Sequence, residues 1–281
     1  MLNLRDIASN LEPGPEGYWI SRNISDISYP DHGNDLCFSV EDSSFWFKHR
    51  NDCILAALKS FPPPGPVFDI GGGNGFVAQA IQRSGMDVVL MEPGLAGVRN
   101  ALRRGIVHVV RSTLDDAGAR PGTLAAAGLF DVVEHIAEAA AFLKRIRTLL
   151  VPDRRIYITV PAYQWLWSRE DVVAGHARRY TVPTLSAVLK TAGFSVEFAT
   201  YFFGFLPVPI LLRRALPYRL GAGGSKFDAD SIRSDHEPPP AARRIIRILT
   251  DRELSRIRRL KPIRMGASVL AVARVPDQRG S

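Results

Sequence analysis

Two acids and a run of glycines carry the first chemistry that this sequence offers. Asp69 stands ahead of Gly71, Gly73 and Gly75 in VFDIGGGNGFVAQAI (67–81), where an apolar run meets a loop and the loop opens an apolar-periodic helix. A loop in that position brings backbone amides and a helix N-terminus onto a ligand. Glycines let the chain turn sharply and let the ligand approach the backbone; Asn74 lies among them. A dinucleotide fingerprint needs its third glycine one residue later, where Phe76 stands. Asp69 repels a pyrophosphate but attracts an ammonium group. The ligand read from the loop is therefore cationic and carries no diphosphate. Glu92 ends the next apolar run, just before Pro93, where a carboxylate can accept both hydroxyls of a ribose. A nucleoside with an amino-acid tail satisfies both acids.

His135 and His176 are the candidate catalytic bases, because imidazole removes a proton from a hydroxyl or amine near neutral pH. They lie in FDVVEHI (130–136) and DVVAGHARRYT (171–181). The second segment follows VPAYQWLWS (160–168), and loops beyond strand ends build substrate pockets in folds of this kind. Tyr163, Trp167, Arg179 and Tyr180 are accordingly candidate substrate contacts. The plainer reading has Glu134 and His135 capping the next helix and Arg178, Arg179 and Tyr180 bracing the loop. Cys37 and Cys53 have no metal-ligand spacing, and no metal set is read.

Taken together these residues resemble class I S-adenosylmethionine-dependent methyltransferases, in which a D/E-x-G-x-G-x-G loop holds the methionine portion and an acid ending the second strand holds the ribose. The resemblance implies S-adenosyl-L-methionine as cofactor, with Asp69, Gly71, Gly73, Asn74 and Gly75 on the methionine side and Glu92 and Pro93 at the ribose. It extends through RSTLDDAG (111–118), which places Thr113 and Leu114 beside adenine, and through FDVVEHI, which places Asp131 and Val132 beside the methionine. Thr113 stands where many relatives have an adenine-bonding aspartate. Further upstream, FWFKHRN (45–51) resembles the F-W-F-x-x-R-N entry of one bacterial branch acting on small molecules or lipids. There the aromatics roof the cofactor and Arg50 pairs with its carboxylate, a charge-assisted contact suited to guanidinium. Packing of Phe45, Trp46 and Phe47 on the core is the other reading.

Alternating signals position these groups. Strands are expected at 67–70, 87–91, 106–110, 128–133, 155–160 and 195–200, with helices near 53–58, 75–83, 95–103, 137–150 and 182–192, a pattern that builds a parallel sheet with helices on both faces. GASVLAVARV reads as a last strand. With the resemblance, the expected fold class is α/β: a Rossmann-like, doubly wound, mostly parallel seven-stranded sheet whose last strand is antiparallel. FPPPGP, starting at Phe61, punctuates the chain. The expected division is an N-terminal arm and lid (1–60), a cofactor-binding core (61–201), a substrate-side or membrane-facing insert (202–263), and a last strand with tail (264–281).

The net charge of +8 is unevenly placed. Residues 241–264 interleave arginines with Ile245, Ile248, Leu249, Ile257 and Leu260, the pattern of a basic amphipathic helix. It is either a solvated surface helix or a site for anionic lipid or an acidic substrate, with nucleic acid the weaker third reading. YFFGFLPVPILL (201–212) is too short and proline-broken to cross a bilayer, yet could lie on one or line an apolar pocket. The N-terminus lacks a secretory pattern and two cysteines build no disulfide framework, so a cytoplasmic protein, in one reading peripheral on the inner membrane face, is expected. The implied reaction is in-line methyl transfer to a small-molecule or lipid-linked acceptor, which needs alignment and exclusion of water more than any base. Two alternatives stay open: a cofactor-binding protein that transfers no methyl group, and an NAD-dependent oxidoreductase.

Overall fold

The structure, a computed structural model, describes residues 2–23, 37–221 and 240–277. Its centre is a sheet of four fully or largely buried strands, β3 (Val67–Ile70), β4 (Val88–Met91), β6 (Leu124–Phe130) and β7 (Leu150–Pro161), joined by β5 (Val109–Arg111), β8 (Ser195–Phe202) and β9 (Ser268–Arg274). VFDI and VVLM are buried at every position, as parallel strands covered on both faces must be. The order is β5-β4-β3-β6-β7-β9-β8, and β9 runs antiparallel to both neighbours, pairing Ser268 with Pro161 and with Phe202.

Among the described residues the sheet has nine strands rather than the seven expected. A hairpin of β1 (Leu11–Pro13) and β2 (Trp19–Ser21) adds to the β5 edge, with Trp19 opposite Val110. Three-residue strands are too short to show a period of two, which is why the sequence pattern passes over them; their place in the sheet comes from covering an otherwise open edge.

Two apolar layers sandwich the sheet. On one face lie α2 (Phe45–Ser60), α3 (Phe76–Arg83), α4 (Leu95–Arg103) and α10 (Pro240–Arg258), contributing Ile54, Ile81, Val98 and Ile257. On the other lie α1 (Leu4–Ile7), α5 (Ala139–Leu149) and α7 (Val182–Thr191), contributing Leu4, Ile146 and Leu189. The short helices α6 (Arg169–Val173), α8 (Pro207–Ile210) and α9 (Leu216–Arg219) lie in the long connections, with a π-helical turn at Leu211–Ala215 between the last two.

Boundaries depart from expectation where caps decide them. α2 begins at Phe45 and not Cys53, because the Ser44 hydroxyl accepts hydrogen bonds from the amides of Trp46 (3.1 Å) and Phe47 (3.3 Å). β6 covers Leu124–Phe130 and not 128–133: its alanine-rich start hides a strand, and Asp131, at φ 60°, ends it.

The basic helix forms as expected, but its later half is anchored rather than solvated. Leu254 and Ile257 are buried, and Glu253 accepts hydrogen bonds from the amides of Phe203 (2.9 Å) and Gly204 and lies 2.9 Å from His49 Nε2. The first half leaves Ile245 and Ile248 exposed. Residues 222–239 of the expected insert lie outside the described residues.

Glu253→Ala should lower stability by about 3–5 kcal/mol, since two buried amides and His49 lose their shared acceptor. The urea midpoint at constant m-value is the measure. A loss under about 1 kcal/mol would leave Leu254 and Ile257 as what holds the helix.

Candidate functional site

The connections of β3 and β6 run to opposite sides of the sheet, and crevices form beyond strand ends where the order reverses. Asp69, Glu92 and Asp131 all stand at or just beyond the carboxyl ends of β3, β4 and β6. The topology thus gathers on one rim acids that are far apart in sequence.

Between β3 and α3 the glycines adopt conformations that other residues resist. Gly71, Gly73 and Gly75 have φ of 71°, 51° and 76°. Gly72 is needed for a different reason: a Cβ there would lie 2.9 Å from Asp69 Oδ2. The loop is tied to β4 and α4 through Glu92, whose Oε2 accepts from the Gly73 amide (2.9 Å) and whose Oε1 accepts from the Gly94 amide (2.8 Å). Glu92 is buried and oriented by these two amides. Pro93, half-buried beside it, accepts from Arg111 Nε at 3.4 Å.

Asp69 is 1% exposed, and its Oδ2 has no hydrogen-bond partner among the described residues. Burial, with a contribution from Glu92, raises its pKa to about 7 against the pull of Arg50 and the Ala78 amide. At the same rim Arg50 forms an ion pair with Asp131, which also accepts from Thr159 Oγ1 at 3.1 Å. The Arg50 guanidinium lies 5.1 Å from the Trp46 ring centre and 5.3 Å from that of Phe47, and its Nε is buried without a partner among the described residues. Trp46 in turn stacks on Phe203 at 5.5 Å. Both readings of FWF are therefore visible in part: the rings pack the helix and also fix Arg50 at the rim.

The second cluster adjoins the first. In the 3-10 turn Val133–His135, Glu134 is wholly buried and neither carboxylate oxygen has a hydrogen-bond partner among the described residues; burial, reinforced by Asp131, holds its pKa well above the carboxylate range. The His135 and His176 rings meet edge to face at 4.8 Å. His135 is shifted down by burial and then by the charge of His176, opposed by a hydrogen bond with the Gly175 backbone. His176 Nδ1 lies 2.8 Å from Asp171 Oδ1, which also accepts from Arg179 Nε at 2.7 Å. Although burial pushes the Asp171 carboxyl up, hydrogen bonds from His176 and Arg179 outweigh it and hold the pKa at about 2.

Some expected site residues are turned elsewhere. Asn74 is buried, donating to Glu41 Oε1 (3.2 Å) and accepting from Asn100 (3.0 Å). Leu114 packs in the core near Leu4, and Thr113 Oγ1 accepts the Asp116 amide at 3.1 Å. Tyr180 is 2% exposed in the core; its backbone pairs with Pro161 and Tyr163, so it braces the loop. Arg179 does the same through Asp171 and the Ala162 carbonyl. Val132 packs against the Gly71 backbone. Tyr163 stacks between Trp165 and Tyr201, and Trp167 is half-buried nearby. The sequence pattern did not single out Glu41, which pairs with Arg104 at 2.8 Å, or Thr159 or Gly72. Only Gly72 had a signal, as the fourth glycine in the run.

A family model described as a methyltransferase domain matches residues 46–197, more than half of the 281-residue chain. No curated protein matches the chain. Among solved structures, the complex of the Haloferax volcanii Trm112 methyltransferase activator with a methyltransferase is similar at 15% identity, covering 89% of this chain and 98% of that one, with a TM-score of 0.56. A SAM-dependent methyltransferase from Archaeoglobus fulgidus matches at 16% identity over 80% of this chain and 94% of that one, at 0.50. Phosphoethanolamine N-methyltransferase 2 from Haemonchus contortus, in complex with S-adenosyl-L-methionine, matches at 17% identity over 92% of this chain and 61% of that one, at 0.54. At these identities the likeness is one of fold.

Asp69 makes the site's pH behaviour testable without ligand. Its folded pKa of about 7 lies above the ordinary 3.8, so its favourable contribution is complete below pH 4 and is lost as pH rises through 7. The thermal midpoint of Asp69→Asn should gain on that of the native chain between pH 4 and 8 and exceed it at pH 8. A calorimetric gap that stays constant across that range would contradict the assignment.

Proposed function

The chain belongs to the methyltransferase-domain family, and from that premise we propose which residues serve its S-adenosylmethionine-dependent transfer and what kind of molecule receives the methyl group. The observation that carries the reading is the buried, unpartnered Asp69 Oδ2 beneath a glycine loop whose amide is held by Glu92. That arrangement fits the cofactor: Asp69 takes the ammonium group, Glu92 the ribose hydroxyls, and bare backbone at Gly71 and Gly73 the methionine portion. Arg50, positioned by Asp131 and carrying an unused buried Nε, takes the carboxylate. In this reading residues 112–114 flank adenine through their backbone, since the Leu114 side chain packs in the core and Thr113 Oγ1 already accepts the Asp116 amide. An NAD-dependent oxidoreductase is set aside by the family match.

Bound S-adenosylmethionine supplies an electrophilic methyl carbon. What the chain contributes is alignment and dryness. Trp46 and Phe47 wall the rim over Arg50, and Tyr163 and Trp167 line the approach beyond β7. His135 and His176 face the same rim next to Asp131, and removal of a proton from an oxygen or nitrogen acceptor falls to their cluster. In this reading residues 1–60 serve as arm and lid, 61–201 as cofactor core, 202–263 as acceptor-side insert and 264–281 as closing strand and tail.

Exposed apolar side chains favour a lipid-linked acceptor over a small soluble one. Val208 and Leu212 are each 57% exposed, beside Arg213 and Arg219, and Ile245 is 61% exposed beside Arg243, Arg244 and Arg247. Phe202 and Phe203, by contrast, are wholly buried. No helix among the described residues is long and apolar enough to cross a membrane. Two modest surfaces, each joining apolar area to cationic charge, can hold a protein reversibly on an anionic bilayer. In this reading the enzyme works at the cytoplasmic face of a membrane.

Glu92→Ala and Gly73→Val should each weaken S-adenosylmethionine binding by calorimetry, the first roughly ten- to a hundredfold as expected for a charged hydrogen-bond partner worth ~1.5–3 kcal/mol. Native affinity in both variants would remove the cofactor assignment. For the acceptor, co-sedimentation with anionic vesicles should occur at low salt and fade at high salt; no sedimentation at low salt would leave the small soluble acceptor.

A further inference from the structure

We propose that Glu134, His135 and His176 form a binding site for one first-row divalent cation, which holds and activates the methyl acceptor. The three residues come from two segments, the turn after β6 and the loop after α6, and one donor atom from each lies within 4.8 Å of the others. Zinc–nitrogen bonds of about 2.0–2.1 Å put tetrahedral donors roughly 3.4 Å apart, so the side chains close on a cation by small rotations about their own torsions.

Glu134 supplies the strongest argument. Both carboxylate oxygens are buried without a hydrogen-bond partner among the described residues, a placement costing several kcal/mol unless a cation or proton compensates. Among the described residues no ion pair reaches it: Arg50 binds Asp131 and Arg179 binds Asp171. The histidines are prepared in the manner of metal ligands, whose second ring nitrogen is normally held by a carboxylate or backbone carbonyl. His176 Nδ1 is held by Asp171 at 2.8 Å, leaving Nε2 for a ligand, and His135 bonds the Gly175 backbone.

Two imidazoles and one carboxylate suit zinc, cobalt(II), iron(II) or manganese(II) better than magnesium or calcium. Three protein ligands leave coordination positions open, as sites that bind substrate do. With the cation bound, His135 and His176 serve as ligands and not as bases: an acceptor hydroxyl on the cation is acidified and gives its proton to water. Its oxygen then bonds to the methyl carbon as the carbon–sulfur bond breaks, leaving that electron pair on sulfur. Glu134 lies in the turn Val133–His135, three residues after Asp131, which puts the cation beside the rim where Arg50 is anchored. The role in catalysis rests on the methyltransferase reading; binding of the cation does not.

The test uses full-length protein without a polyhistidine tag, stripped with chelator and titrated with Co²⁺ by visible absorption and with Zn²⁺ by calorimetry. One saturable equivalent is expected, with d–d bands of a low-coordinate site. Glu134→Gln and His176→Gln should each weaken it at least tenfold, in the range seen when metal-site partners are lost, with circular dichroism unchanged. Absence of saturable binding to the native chain, or undiminished binding in both variants, would overturn the proposal. S-adenosylmethionine affinity of the stripped protein, measured separately, decides the cofactor reading independently.

Discussion

A single guanidinium at the carboxyl rim of the sheet organises the rest of this molecule. Arg50 pairs with Asp131 and acts through space on Asp69, Glu134 and Glu41, all of them buried acids. Its charge pulls the pKa of each of these three acids down, against the burial that pushes them up. Its position depends on the Ser44 cap that starts α2 eight residues earlier than the helix pattern suggests, and on the Trp46 and Phe47 rings against which it lies. The rings that pack α2 on Phe203 thus also hold the Arg50 guanidinium at the rim.

Around that centre the sheet divides the work. One side of the switch point presents the glycine loop, with Glu92 binding it to α4; the other presents Asp131 and the Glu134, His135, His176 group. Positive φ at Asp131, a residue that tolerates it better than most, turns the chain away at the strand end and lets the 3-10 turn carry Glu134 inward. As buried Glu92 holds the backbone of the first group, buried Asp171 holds the His176 and Arg179 side chains of the second in one orientation.

Much of this was legible in the sequence. β3, α3 and α4 fell within a residue of expectation because apolar runs of four and glycine boundaries leave few alternatives. The antiparallel β9 was marked by SVLAVAR, β-branched and small residues that fit between two neighbours. The hairpin at β1 and β2 left no comparable trace, and neither did the alanine-rich start of β6, since short or weakly β-prone segments become strands only when a partner edge is present. At the site, Asp69, the glycines and Glu92 stood in a local pattern. Asn74 stood in it too, yet turns to Glu41 and Asn100, partners that lie 33 and 26 residues away and that no local spacing reveals.

What the sequence by itself determined was the set of groups and the local geometry of each: which loop is bare of side chains, which strand ends in an acid, where histidines fall. These follow from periods of two and 3.6 residues and from the conformational freedom of glycine, all of them short-range effects. What only the tertiary structure decided was who meets whom. The pairing of Arg50 with Asp131, the meeting of His135 with His176, and the burial of Glu134 without a partner each join segments 40 or more residues apart or depend on complete exclusion of water. Such pairings arise because the parallel sheet sends every strand's carboxyl end to one rim, and their charges and pKa shifts exist only once packing has removed the solvent.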